Sequence, residues 1–113
     1  MNEKRIEIVT GASAIVLAGG VGTRMGRDKT AVEFRGETLL GRAVRVMLEC
    51  FDEVVISVAP GGTGRAMEVL GDAAPTAGIK FAEDIFPGRG PVAGIHAGME
   101  KGEARYYFVA GCD

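Results

Sequence analysis

The sequence predicts an α/β fold, a Rossmann-like three-layer sandwich with a mostly parallel sheet, on three observations. Short apolar runs alternate with segments of helical period along the chain. The stretches joining successive runs are long enough to cross over a sheet, as parallel strands require. Glycine-rich or acidic segments follow directly after the runs, where such sheets place their ligands.

Residues 1–13 are polar and irregular and read as a flexible leader, with the folded part over 14–113. SAIVLA is a continuous apolar run next to glycine, the pattern of a strand covered on both faces. It runs into LAGGVGTRMGRDK, Leu17–Lys29. AVEFRGE then reads as a short extended piece turning at Gly36. From Thr38, a plausible N-cap, the period changes: Leu40, Val44, Met47, Leu48 and Phe51 fall on one helical face, with Arg42, Arg45 and Glu49 opposite. EVVISVA is a second strand, PGGTG a turn and GRAMEVLGDA a short helix. GIKFAED is a third strand ending in Glu83 and Asp84, IFPGRGP a loop, and VAGIHAGMEK a helix whose small residues permit close packing. RYYFVAGCD is a fourth strand, with Tyr106, Tyr107 and Phe108 expected in the core. It reaches Asp113 with no helix after it, so the chain reads as truncated, or as completed along this open edge by a partner chain or a second copy.

Composition excludes several classes. Hydrophobic residues make up 47% and charged residues 25%, ordinary globular values. The net charge of -2 combines a basic first part, residues 1–45 with eight Lys/Arg against five Asp/Glu, with an acidic remainder of five against ten. That suits an anion site beside a cation site and offers no basic nucleic-acid face. No apolar run approaches the roughly 18 residues of a membrane helix, and the N-terminus lacks a signal-peptide core, so a cytoplasmic location is expected. Cys50 and Cys112 are too few for zinc and read as free buried thiols. His96, the only histidine, reads as a partly buried packing residue.

The glycine loop fails two familiar phosphate motifs. G-x-G-x-x-G begun at Gly20 requires glycine at Met25, and G-x-x-x-x-G-K-[ST] requires it at Asp28, ahead of Lys29 and Thr30. Its physics survives: Gly19, Gly20 and Gly22 allow backbone N–H groups to approach a bulky anion, and Arg24 and Lys29 can neutralise a triphosphate. The loop, the Glu83-Asp84 pair and Asp113 all follow strands and so share one edge of the sheet. Glu83 and Asp84 alternate across a strand end, so only one should reach a ligand, and Asp84 is the choice. Arg89 reads as a solvated loop arginine within reach of a phosphate, and Asp28 as a residue that orients Lys29 or caps the segment that follows.

The order L-A-G-G-x-G-T-R-M-G-x-D-K, then E-D, G-P-V-A-G and a strand ending in C-D resembles the molybdenum cofactor guanylyltransferase family, within the sugar-nucleotide-pyrophosphorylase-like superfamily. The resemblance spans residues 14–113, which would be the N-terminal, nucleotide-binding part of a fold of the nucleotide-diphospho-sugar transferase type. It implies that the backbone of Leu17, Ala18 and Gly19 contacts GTP, that Lys29 meets its phosphates, that Asp84 helps hold the nucleotide near the Gly90, Pro91 and Gly94 segment, and that Asp113 binds Mg2+. The loop's own chemistry adds Gly20, Gly22, Thr23 and Arg24 to this cradle, and Arg24, Lys29 and Asp113 are the expected catalytic residues. The implied reaction transfers GMP from GTP to molybdopterin and releases pyrophosphate. Cytidylyl transfer to molybdopterin, guanylyl transfer to a cobamide or phospholactate precursor, and an inactive nucleotide-binding module remain alternatives. Family members are nearly twice as long as this chain.

Overall fold

A computed structural model describes residues 11–19, 31–71, 78–85 and 90–112. Four parallel strands form the central sheet: β1 (Ala12–Leu17), β4 (Val54–Val58), β5 (Ile79–Glu83) and β6 (Tyr106–Gly111). Their order is β5-β4-β1-β6, so the chain first winds outward from β1 and then returns to its other side. A two-stranded antiparallel hairpin, β2 (Glu33–Phe34) with β3 (Glu37–Thr38), precedes the first helix. Arg35 and Gly36 both have positive φ, 57° and 81°, the two-residue turn whose twist matches a hairpin. Gly36 takes that conformation without strain, and the Arg35 guanidinium lies 5.1 Å from the centre of the Phe34 ring.

Helix α1 (Leu39–Leu48) starts where the sequence marks it: Thr38 is extended, and its Oγ1 accepts the Gly41 N–H at 2.9 Å. The helix stops at Leu48, before Phe51, which nevertheless remains buried. Helix α2 (Thr63–Leu70) begins one residue earlier than the sequence pattern suggests, and α3 (Pro91–Lys101) opens with Pro91 in its first turn. Strand β1 begins at Ala12, one residue before the predicted run, and Ala12 pairs with Tyr106. Residues 1–10 of the expected leader lie outside the described residues.

Alternation along the strands divides the interior into two cores, which accounts for the continuous apolar runs. Ala14, Val16, Val54, Ile56 and Val58 face Leu40, Val44, Ala66 and Leu70 of α1 and α2. Ile15 and Val55 face the other way, with Ala82 and Ala97, beneath α3. Ile15, Val16, Val54, Val55 and Ile56 are fully buried, each contributing about 1.5–3 kcal/mol by burial alone. The third layer depends on small residues: a Cβ on Gly98 would stand 2.8 Å from Ile15 Cδ1, so the α3 backbone rests directly on the Ile15 side chain of β1.

Three expectations about side chains are corrected. Tyr106 and Phe108 are 69% and 51% exposed rather than core, because β6 has no neighbour on its outer side among the described residues and the helices lie over β1, β4 and β5. Tyr107 is half-buried, and its hydroxyl accepts the Ala104 N–H at 3.0 Å. His96 projects from the outer side of α3 and is exposed, 3.9 Å from the Glu100 carboxylate. Cys50 and Cys112 are thiols, as expected, but half-buried rather than buried.

Candidate functional site at the carboxyl ends of the strands

The sheet reverses its winding between β1 and β6, and the crevice beyond the carboxyl ends of these strands is where open α/β sheets bind ligands. Three sequence segments meet along this edge, on the β4 side of β1. Ala18 donates its N–H to the Ser57 carbonyl at 2.8 Å, extending the β1 ladder by one residue before the glycine loop. At Gly19 a Cβ would lie 3.2 Å from Ala59 N, so the loop begins with its backbone directly on the turn after β4. Gly94, in the first turns of α3, faces Leu17: a Cβ there would meet Leu17 Cδ2 at 3.0 Å and Ser57 Oγ at 3.2 Å. The buried Ser57 hydroxyl is satisfied by the Gly94 carbonyl at 2.8 Å, which ties α3 to β4 at this edge.

The two carboxylates after β5 have separate surroundings. Asp84 donates its N–H to the Val58 carbonyl at 2.9 Å and is half-buried where the chain leaves the sheet. Glu83 is exposed, and its carboxylate accepts the Gly61 N–H at 2.9 Å and the Thr63 hydroxyl at 2.8 Å. The Gly61 amide, followed by the Thr63 hydroxyl, holds the Glu83 carboxyl below the usual carboxylate range. At the end of β6, the Cys112 thiol lies 3.4 Å from the Leu17 carbonyl, so the residue before Asp113 is beside the start of the glycine loop.

Of the sequence-selected residues, Leu17, Ala18, Gly19, Asp84, Gly90, Pro91 and Gly94 are thus found at or next to one edge, with Leu17 and Gly94 in direct contact. Gly90 has φ 74° and precedes Pro91 at the start of α3. Gly20, Gly22, Thr23, Arg24, Lys29 and Asp113 lie outside the described residues, as do Asp28 and Arg89. Sequence reasoning missed the Ser57–Gly94 bond and the partners of Glu83, since both depend on which strands are neighbours. The G-G-T start of α2 was the only available signal for the second.

Elsewhere the described residues hold two other polar features. At the amino ends of the strands, Glu53 accepts from the Ser13 hydroxyl at 2.6 Å and the Glu103 N–H at 3.2 Å, and pairs with Lys80 at 2.7 Å. A cavity of about 470 Å³ between the hairpin, α1 and α2 is lined by Glu33, Thr38, Val44, Leu48, Val69 and neighbours, none of them in the motif segments. No group of three or more potential metal ligands occurs among the described residues, and no helix among them is long and apolar enough to cross a membrane.

Comparison with known proteins agrees with this fold. The family model described as MobA-like NTP transferase domain matches residues 14–113. The chain is 37% identical over 102 residues to a Methanosarcina acetivorans protein named "Probable molybdenum cofactor guanylyltransferase", covering 89% of this chain and 45% of that protein. Proteins of the same name from Bacillus cytotoxicus (34% over 103 residues; 89% and 48%) and Peptoclostridium acidaminophilum (35% over 101 residues; 89% and 41%) are similar. The chain therefore spans a little under half the length of these relatives. With its matched stretch running from β1 through the glycine loop to Asp113, the chain belongs to the MobA-like NTP transferase domain family.

Proposed function

We propose that this chain is the nucleotide-binding part of a nucleotidyltransferase that transfers GMP from GTP to molybdopterin. The observation that supports this reading most is the contact between Leu17 and Gly94, which joins the L-A-G and G-P-V-A-G segments at the switch point of the sheet. Names of the relatives supply the acceptor and the base.

The reaction joins a terminal phosphate oxygen of molybdopterin to the α-phosphorus of GTP while the bond from that phosphorus to the α–β bridging oxygen breaks. Pyrophosphate leaves with the bonding electrons, and no proton need be taken from the attacking phosphate by a protein base. The protein is left with positioning and charge stabilisation. The backbone of Leu17, Ala18 and Gly19 lies along the nucleotide, with the Ala18 N–H already engaged by the Ser57 carbonyl, and Arg24 and Lys29 neutralise the negative charge that grows on the departing pyrophosphate. Asp84 and the Gly90–Gly94 segment flank the nucleotide. The donor chemistry fits magnesium: Asp113 follows Cys112, which lies against the Leu17 carbonyl, and magnesium accepts one carboxylate with phosphate oxygens and water in its other positions. Held by Asp113, Mg2+ would supply further neutralisation of the phosphates.

On the same reading the protein acts in the cytoplasm.

Pyrophosphate release from GTP with molybdopterin present tests the proposal. Lys29→Ala should lower turnover about 100-fold or more by removing a charge from the leaving group; unchanged turnover would overturn the assignment. Tight CTP binding without GTP binding would replace guanylyl by cytidylyl transfer.

A further inference from the structure

Glu83 ends β5 with both carboxylate oxygens engaged, and neither contact belongs to the nucleotide reading above. One oxygen accepts the Gly61 N–H at 2.9 Å, within the turn between β4 and α2; the other accepts the Thr63 hydroxyl at 2.8 Å, on the first residue of α2. The side chain thus bridges the ends of two neighbouring strands and spans the place where the turn becomes a helix. The turn is compact, closed by the Gly62 N–H on the Ala59 carbonyl at 2.8 Å. Its other side is the wall against which the glycine loop starts. A Cβ at Gly19 would stand 3.2 Å from Ala59 N, so even a methyl group there would need the turn to give by a few tenths of an ångström. A displacement of the turn therefore reaches Gly19 directly, without a side chain to absorb it.

The register adds a second connection. Val58 pairs with Glu83, and its carbonyl accepts the Asp84 N–H at 2.9 Å, so the same local frame fixes where Asp84 leaves the sheet. Glu83 stands at the junction of the two segments that flank the nucleotide, while its own carboxylate faces away from them toward α2.

We propose that Glu83 is a positioning residue of the nucleotide site: by clamping the β4–α2 turn through Gly61 and Thr63, it sets the position of the backbone at Gly19. The inference rests on the reading of this edge as the nucleotide site. An ordinary helix cap makes a different prediction, because loss of a cap lowers stability and leaves ligand affinity unchanged in the folded protein.

The test uses the 113-residue chain. Glu83→Gln preserves shape but replaces one acceptor oxygen with an NH2 that cannot accept from either donor. In the ligand-free protein, the Gly19 and Ala59 amide resonances should move. The dissociation constant for a fluorescent GTP analogue with Mg2+ should rise about tenfold. Thr63→Val, which leaves the carboxylate intact, should act in the same direction, and Thr63→Ser should restore wild-type affinity; this pair carries the test if Glu83→Gln does not fold. In the assay with molybdopterin, KM for GTP should rise while kcat stays within about twofold, the pattern of lost positioning. Unchanged Gly19 and Ala59 resonances would overturn the inference, as would shifted resonances with unchanged affinity. If the wild-type chain binds no nucleotide, the transferase reading fails separately, and the ligand-free resonances alone decide whether Glu83 holds the turn against Gly19.

Discussion

Gly94 lies against Leu17 so closely that a methyl group on the helix would come within 3.0 Å of the leucine side chain. This contact joins the end of β1 to the first turns of α3 and leaves no room for a branched residue. Gly94→Val should displace Leu17 and the Ser57 hydroxyl and weaken GTP binding at least tenfold, measured by fluorescence titration. One turn further on, Gly98→Ala would press on the fully buried Ile15 at 2.8–3.0 Å and cost about 1–3 kcal/mol of stability in urea denaturation. The two glycines separate because one meets the flexible tip of a residue at the edge and the other a branched side chain in the core.

Thr38 gives the start of α1 both a hydrogen-bonded cap and a link to α2, since its hydroxyl accepts from Gly41 at 2.9 Å and lies 3.4 Å from the Val69 carbonyl. Thr38→Ala should lower stability by about 1 kcal/mol, with Thr38→Ser retaining most of it. Chemical denaturation of the three proteins at one pH checks this.

The Glu53 network at the amino ends of the strands should make stability acid-sensitive. Burial pushes the Glu53 carboxyl up, but Lys80, the Ser13 hydroxyl and the Glu103 N–H together outweigh it and hold the group below the usual carboxylate range. A lowered folded-state pKa means that the stabilisation is fully present above the unfolded value and is lost as the pH falls through the folded one. Lys80 is raised, chiefly by its bond to Glu53, so its share is present below its unfolded value and lost only in strong alkali. Urea midpoints should therefore be level near neutrality and fall below about pH 5, with a shallower acid fall in Glu53→Gln. Equal acid slopes in the two proteins would remove Glu53 from the explanation.

Phe51 and Phe108 stack with ring centres 5.9 Å apart, yet one is buried and the other half exposed. Phe51→Ala should cost about 3–5 kcal/mol as a core truncation, and Phe108→Ala only about 0.5–1.5 kcal/mol from the aromatic pair. A double-mutant cycle on unfolding free energies measures the coupling between them.

The four main strands and three helices were legible because each leaves a local mark. Continuous apolar runs betray strands covered on both faces, Leu40 and Val44 keep the helical period, and Thr38 marks where α1 begins. Which strand lies beside which leaves no such mark. Tyr106 and Phe108 have the composition of a buried strand, and only the β5-β4-β1-β6 order shows that β6 lies at the margin. The same ignorance of neighbours concealed the clamp of Glu83 on Gly61 and Thr63, twenty or more residues earlier in the chain. For the site, the common edge could be inferred from motifs that follow strands. The contact of Gly94 with Leu17 could not, because it depends on how closely α3 approaches the sheet.

The central claim is that nucleotide occupies the carboxyl edge of the sheet at β1, and amide chemical-shift mapping tests it most directly. Titration of the 15N-labelled chain with GTP and Mg2+ should shift Leu17, Ala18, Gly19, Asp84 and Gly94 first and furthest. Shifts centred instead on Thr38, Val44, Leu48 and Val69, around the cavity beside the hairpin, would contradict it.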